Sequence, residues 1–374
     1  MVRNKGARFA SLVAVGVLAV GALAACGSSD SGGSSGGSSS SGATGSVGVI
    51  LPDATTSPRW EANDRPALQQ AFDAAGIESD IQNAGGDVAK FGQICDSMVQ
   101  TVSVIMIVNL DSDSGKACLD KATANGVQSI DYDRLTLGGG ASYYVSFDNV
   151  EVGRLQGQGL IDCLDADGKT QANIVYINGD PNDNNAALFK QGYEEALKPK
   201  IDSGDYTLVG DQSGFWDATK AGTAFEQLYT KNNGDVDGAV VANDTMAGGV
   251  IARLKAVGQN GKVPVTGQDA SVEGLQNILT GDQCMTVYKN AELEAKTASD
   301  LAIALINGDD AAAAALADKT VPDTVTGKDV PSALATPVTI TTDNMQQVFD
   351  DGYQTVADVC TGNYAALCTK AGIS

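Results

Sequence analysis

Ser103-Val104-Ile105-Met106-Ile107-Val108 places five apolar side chains in succession between two helix-length segments. The run is too short for a helix with a polar face. Its lack of alternation means that both faces are covered, as in a strand of a parallel sheet clothed by helices. The theme recurs at Val47-Gly48-Val49-Ile50-Leu51, Asn173-Ile174-Val175-Tyr176-Ile177, Gly238-Ala239-Val240-Val241-Ala242 and Val263-Pro264-Val265-Thr266. Helix-length segments lie between them at 156–164, 188–197, 218–229 and 246–257. The first helical segment runs to Ala75, with Gly76 as its C-cap. Roughly ten such units are too many for one sheet, and two doubly wound domains are the natural partition. The expected fold class is therefore α/β, with two doubly wound parallel-sheet lobes.

Composition narrows the function. The chain has 374 residues, 24 Lys+Arg against 46 Asp+Glu, no histidine and a net charge of −22. So acidic a chain is a poor binder of nucleic acid, of anionic ligands and of anionic surfaces. Without histidine there is no Ser-His-Asp or Cys-His pair and no His-ligated metal. There is no CxxC, no GxxxxGK[ST] and no GxGxxG after a strand, so neither a metal nor a nucleotide cofactor is expected.

The N-terminus reads as an address. Arg3, Lys5 and Arg8 precede an apolar segment from Ala10 to Ala22. That is a secretory signal pattern, too short to span a membrane comfortably. It ends in Leu23-Ala24-Ala25-Cys26, similar to a bacterial lipobox, in which the cysteine is lipidated and becomes the first residue. Residues 1–25 are thus expected to be removed, making the remainder more acidic by three charges. Residues 26–45 are nearly all Gly and Ser and form a flexible tether. The expected location is extracytoplasmic, on the cell membrane through lipid on Cys26.

The six other cysteines fit an exported, disulfide-bonded chain, although their number leaves the connectivity open. Cys95 and Cys118 lie in helical segments flanking one strand and form the favoured pair. Cys360 and Cys368 would staple the C-terminal tail.

In open α/β sheets, ligands bind beyond the carboxyl ends of strands. Reading just past each apolar run yields Arg59 and Trp60, Asp133 and Arg134, Asp183 and Asn185, Trp216, Asn243, Asp269 and Lys289. Carboxylates, amides and guanidinium forks pair with vicinal hydroxyls. Flat aromatic rings cover the C–H faces of a sugar ring. The combination suits an uncharged polyhydroxylated ligand. Each residue also has a plain structural reading: Asp133-Arg134 as an ion pair, Asn243 as a helix cap, Trp60 as core, Lys289 as a solvated end. Their joint placement at strand ends favours the site.

At these positions the sequence resembles the sugar-binding proteins of bacterial ABC importers with the type I periplasmic-binding-protein fold, xylose-binding subgroup. The matching segments are Pro58-Arg59-Trp60, Asp131-Tyr132-Asp133-Arg134, Ser146-Phe147-Asp148-Asn149 and Asp183-Asn184-Asn185-Ala186. They continue with Gly210-Asp211-Gln212, Ala242-Asn243-Asp244, Gly267-Gln268-Asp269-Ala270 and Thr286-Val287-Tyr288-Lys289. The resemblance implies a cleft between two lobes joined by a three-crossover hinge. The N-terminal lobe would comprise 46–147 plus 290–335, and the C-terminal lobe 148–289 plus 336–374. Arg59, Trp60, Asp133 and Arg134 would face the cleft from the first lobe. Asp183, Asn185, Trp216, Asn243, Asp269 and Lys289 would face it from the second lobe or the hinge. Trp60 and Trp216 would sandwich the ring, while Arg134 and Asp269 clamp hydroxyls.

The implied protein is no enzyme. It is a monomeric solute-binding lipoprotein that closes on a monosaccharide, D-xylose, and delivers it to an ABC permease and its ATPase. Alternatives are glucose, galactose or arabinose as ligand, or a sensor that presents sugar to a membrane receptor. A glycosidase would need two carboxylates with divergent pKa values. Asp183 and Asp269 are the only candidates, and Arg59, Arg134 and Lys289 are expected to keep both ionised. The sequence departs from the family's pattern at two places. Pro66 should make the helix after Trp60 start late or kink. Asp180-Pro181-Asn182 alters the approach to Asp183.

Overall fold

A computed structural model describes residues 45–373. The signal segment, the tether and Cys26 lie outside the described residues. Among the described residues, no helix is long and apolar enough to cross a membrane.

The first sheet has seven strands. In chain order these are β1 (Ser46–Leu51), β2 (Glu78–Asn83), β3 (Val104–Ile107), β4 (Gln128–Tyr132), β5 (Tyr143–Phe147), β10 (Lys319–Asp323) and β11 (Lys328–Ala335), arranged spatially as β10-β11-β5-β4-β3-β1-β2. All neighbours run parallel except β10, which is antiparallel to β11. Alternation along the strands sends side chains to two separate cores. Val47, Val49 and Leu51 join Leu68 and Phe72 of α1 (Arg65–Ala75) on one face. Ile50, Ile105 and Ile107 meet α2 (Val88–Met98) and α3 (Ser112–Ala124) on the other.

The second sheet is built on β6 (Ala172–Asn178), β7 (Tyr206–Ser213) and β8 (Gly238–Val241), in the order β7-β6-β8. β9 (Thr286–Tyr288) pairs antiparallel with β12 (Val338–Ile340). The run at 263–266, expected as a strand, makes only single bridges: Val265 to Ala239, while Gln268 bridges Val287. These link β8 to β9. Helices α4 (Asn149–Ala166), α5 (Asn184–Asp202), α6 (Ala218–Lys231) and α7 (Asp244–Ala256) clothe this sheet. α8 (Val272–Thr280) packs with the C-terminal segment around Met345, Val348 and Tyr353. α9 (Ala291–Ile306) returns to the first sheet, burying Ala295, Ala298 and Leu301 there. The chain therefore crosses between the lobes after β5, after β9 and between β11 and β12. The first sheet is mixed, the β7-β6-β8 sheet is parallel, and β9 and β12 form an antiparallel pair beside it. The antiparallel members are short or contain proline, as β10 does at Pro322, and proline is tolerated at a sheet edge.

Pro66 sits at the second position of α1, where its missing N–H costs no bond. The turn before it, Trp60–Asp64, is π-helical. The α-helix thus starts after the Arg-Trp pair. Gly76 ends α1 at φ 68°, in the left-handed region.

Among the described residues there are three disulfides: Cys95–Cys118 joins α2 to α3, Cys360–Cys368 closes the tail, and Cys163–Cys284 ties α4 to the approach of β9. The last closes 121 residues, against 8 for the tail bridge. Loop entropy makes the long closure the more stabilising. Replacing Cys163 and Cys284 together by serine should lower unfolding free energy by about 2–5 kcal/mol. Denaturant titration should show a smaller loss for the Cys360/Cys368 double variant.

Candidate functional site

The carboxyl ends of both sheets face one small cavity, of about 30 Å³. All ten residues read from the strand ends line it, and all are buried. Thr56, Ser57, Phe189 and Gln268 complete the wall.

The first lobe contributes a loop and a strand end. Asp53 folds the loop after β1, accepting from the backbone N–H groups of Thr55 and Thr56 at 2.6 Å. Arg59 follows, with its guanidinium 3% exposed. Nε and Nη2 donate to both oxygens of Asp64 at 2.8 and 2.7 Å. Nη2 also donates to Glu294, and Nη1 donates to Asp133 at 3.1 Å. Four of its five N–H groups are engaged. The clustered carboxylates outweigh burial and hold Arg59 firmly charged. Trp60 lies beneath two cations, Arg59 at 4.7 Å and Arg134 at 5.7 Å from its ring centre.

Asp133 is the junction. It does not pair with its neighbour Arg134. Its Oδ2 accepts from Arg59 and from Lys289 Nζ, both at 3.1 Å, and its Oδ1 from Asn185 at 3.1 Å. Burial pushes its pKa up, but Lys289, Arg59 and Arg134 together bring it down to about 2. Arg134 turns instead to Asp183, at 2.9 Å, and to the carbonyl of Asn109.

The second lobe answers across the cleft. Asn243 caps α7 with its Oδ1 and donates from Nδ2 to the carbonyl of Thr56, so its capping and cross-cleft readings both hold. Asp269 accepts from Ser57 at 2.8 Å and from Gln268 at 3.0 Å. Asn185 reaches both the carbonyl and the carboxylate of Asp133. These bonds join the lobes in a closed arrangement.

Burial raises the Asp183 pKa, and Arg134, paired with it at 2.9 Å, is the first of the groups that oppose the rise. Asp244, behind the site, is likewise pushed up to about 7, first by burial and then by Asp269. It accepts from Ser271, Gln283 and Thr286 and so anchors the segment that carries Asp269.

Three site residues have positive φ: Asp133 at 61°, Trp216 at 58° and Asp269 at 99°. For a tryptophan this is a rare conformation that surrounding structure must enforce. Gly179 makes room for it, since a β-carbon there would lie 2.1 Å from Trp216 Cζ2. Phe189 meets the Trp216 ring edge-on at 6.2 Å. Phe189 lies one helical turn beyond Asn185, so the spacing on α5 was a signal that could have found it. Gln268 adjoined a chosen residue; Thr56 and Ser57 carry no distinguishing pattern.

The periplasmic binding protein domain matches residues 47–310 of the sequence. The chain belongs to the periplasmic binding protein family. Its fold is the type I form of that family. Relatives include a D-xylose-binding periplasmic protein of Escherichia coli, 36% identical over 298 residues, 79% of this chain and 87% of that one. A multiple sugar-binding periplasmic protein of Azospirillum brasilense is 34% identical, covering 83% of this chain and 90% of its own. A carbohydrate transporter solute binding protein from Chloroflexus aurantiacus, solved with D-glucose, superposes with a TM-score of 0.74 at 28% identity. The superposition covers 83% of this chain and 97% of that chain.

The Gly179 contact gives this binding protein a direct test. Gly179→Ala on a Trp60→Phe background should shift Trp216 fluorescence while cooperative unfolding persists. Unchanged emission would show that the ring does not occupy this niche.

Proposed function

We propose that this binding protein captures a neutral monosaccharide, D-xylose first among candidates, and delivers it to an ABC importer. The observation that carries this reading is the balance of the pocket. Its three cations, Arg59, Arg134 and Lys289, face three carboxylates, Asp133, Asp183 and Asp269. No net charge calls for an ionic ligand. Donors are nevertheless left over. Arg59 keeps one N–H, Lys289 two and Arg134 three, and the indole nitrogens of Trp60 and Trp216 have no partner among the described residues. Gln268 Oε1 is a buried acceptor without a partner there. Hydroxyl groups both donate and accept, and so satisfy this set without disturbing the ion pairs.

The ligand's role in closure follows. Ser57–Asp269, Asn243–Thr56 and Asn185–Asp133 connect the lobes directly, and a ring between Trp60 and Trp216 would add contacts from both sides. Its binding energy favours the closed form by its differential affinity for that form. The closed form is the one proposed to dock on the permease. Relatives support the ligand class: one binds D-xylose, another multiple sugars, and the solved neighbour holds D-glucose. We further propose that residues 1–25 are removed and that lipid on Cys26 holds the protein outside the cytoplasm. Cys26→Ala should release it from the membrane fraction, which fractionation with lipid labelling would detect.

The deciding experiment is calorimetric titration with xylose, glucose, galactose, arabinose and ribose. One-to-one binding of xylose with clear preference is the expected result. Binding of none would sink the sugar reading. Trp216→Ala should lose about 0.5–1.5 kcal/mol beyond the area term. Asp269→Ala should lose about 1.5–3 kcal/mol, because its bonds are charge-assisted.

A further inference from the structure

Glu294 was not among the residues read from the strand ends and does not line the cavity, yet it touches the centre of the site. It sits in the first turn of α9, immediately after the second crossover, and is 1% exposed. Its Oε2 accepts from Arg59 Nη2. Its Oε1 has no hydrogen-bond partner among the described residues. On its other side Glu294 lines a separate groove of about 190 Å³, walled by Ser146, Thr297, Asp318 and Ala335. That groove lies over the first and third crossovers, away from the ligand cavity.

The charges around it do not balance. Arg59 and Lys289 face Asp64, Asp133 and Glu294, three carboxylates against two cations. Asp64 takes two Arg59 donors and the hydroxyl of Tyr132, and Asp133 takes bonds from both cations. Glu294 has a single donor and is the group left over. A buried carboxylate with only one of its two oxygens partnered is costly to ionise, and the group relieves the cost by holding a proton. Burial is the main cause pushing Glu294 up to about 8, with Arg59 and Lys289 opposing and Asp133 and Asp64 adding to it. Asp318 lines the same groove, and burial drives Tyr132 and Tyr144 well above their ordinary range, so that both stay neutral.

We propose that Glu294 is a positioning residue that carries a proton in the binding-competent state, fixing Arg59 with one N–H free for the ligand. This rests on the sugar-binding reading of the cavity. Ionised, Glu294 would need donors for Oε1, and the nearest cations are Arg59 and Lys289. Those are the donors that the ligand requires, so the carboxylate and the ligand compete for them. The groove gives the proton a path that does not require the cleft to open. Ligand affinity should therefore fall as pH rises through the titration of Glu294.

The test uses the purified protein, Glu294→Gln and Glu294→Ala, with D-xylose and D-glucose as titrants. Wild-type affinity should drop about tenfold from pH 7 to pH 9, as expected when only the protonated form binds. In Glu294→Gln, which cannot titrate, affinity should no longer change over that interval. Glu294→Ala, lacking the Arg59 contact, should bind more weakly at both pH values. A second readout needs no ligand. An unfolded glutamate ionises near pH 4.3, so a neutral native Glu294 contributes stability at low pH that is lost as pH rises toward 8. Wild-type melting temperature should fall more steeply than that of Glu294→Gln between pH 5 and pH 8. Asp131 and Asp244, both raised to about 7, titrate in both proteins and cancel. Parallel affinity profiles or parallel melting profiles would overturn the proposal. Failure of both sugars to bind wild type would instead overturn the sugar reading, and the melting comparison would still decide where the proton resides.

Discussion

A buried guanidinium group needs an acceptor for its donors and a counter-charge beside it, and Arg59 is met by three acidic side chains. That requirement organises the centre of the molecule. Asp64 comes from the turn before α1, Asp133 from the end of β4, and Glu294 from α9. Three segments far apart in sequence are fixed to one planar group. The flat fork has donors along both edges, so each carboxylate has one permitted direction. Asp133 then relays the constraint to Lys289 and Asn185, which belong to the hinge and the opposite lobe. The geometry of the cavity follows from this chain of directed bonds more than from shape packing.

The cost of the arrangement appears in the backbone. Asp133, Trp216 and Asp269 hold positive φ values, and each has a neighbour that enforces it. Tyr144, Ser146 and Asn185 all donate to the carbonyl of Asp133. Asp244 pins the segment after Asp269. Gly179 leaves room for the Trp216 ring. Strain at a binding surface, offset by buried hydrogen bonds behind it, yields side chains that need little reorganisation when a ligand arrives.

Much of this was legible in the sequence, for a definite reason. Apolar runs such as Val104–Ile107 mark buried strands unambiguously, and the rule that ligands sit past the carboxyl ends of strands turns each run into a pointer. Arg59 through Lys289 were reached that way. Glu294 was not, because it follows Ala291-Glu292-Leu293 at the start of a helix, where acidic residues usually serve the helix dipole. Its partner is 235 residues away, and no local pattern records that distance. Asp64 was hidden similarly, in a π-helical turn. β10 and β11 escaped notice because each opens with charged or polar residues and contains proline, and β10 lies at the sheet's edge. The run at 263–266 has the composition of a strand, but Val265 alone bridges its neighbour.

The order of strands in the first sheet has a bearing on how the chain reaches this state. β11 is hydrogen-bonded to β5 yet follows it by most of the second lobe and by α9. As the polypeptide is made from its N-terminus, residues 46–147 emerge with one side of β5 unpaired and with the face later covered by α9 still bare. An unpaired strand edge invites association with other chains. Nearly two hundred further residues must appear before that edge is closed from within. The first lobe, although it begins the chain, is therefore completed only after most of the second has been made, and the nascent protein passes through a long interval in which its earliest part depends on being kept from its neighbours.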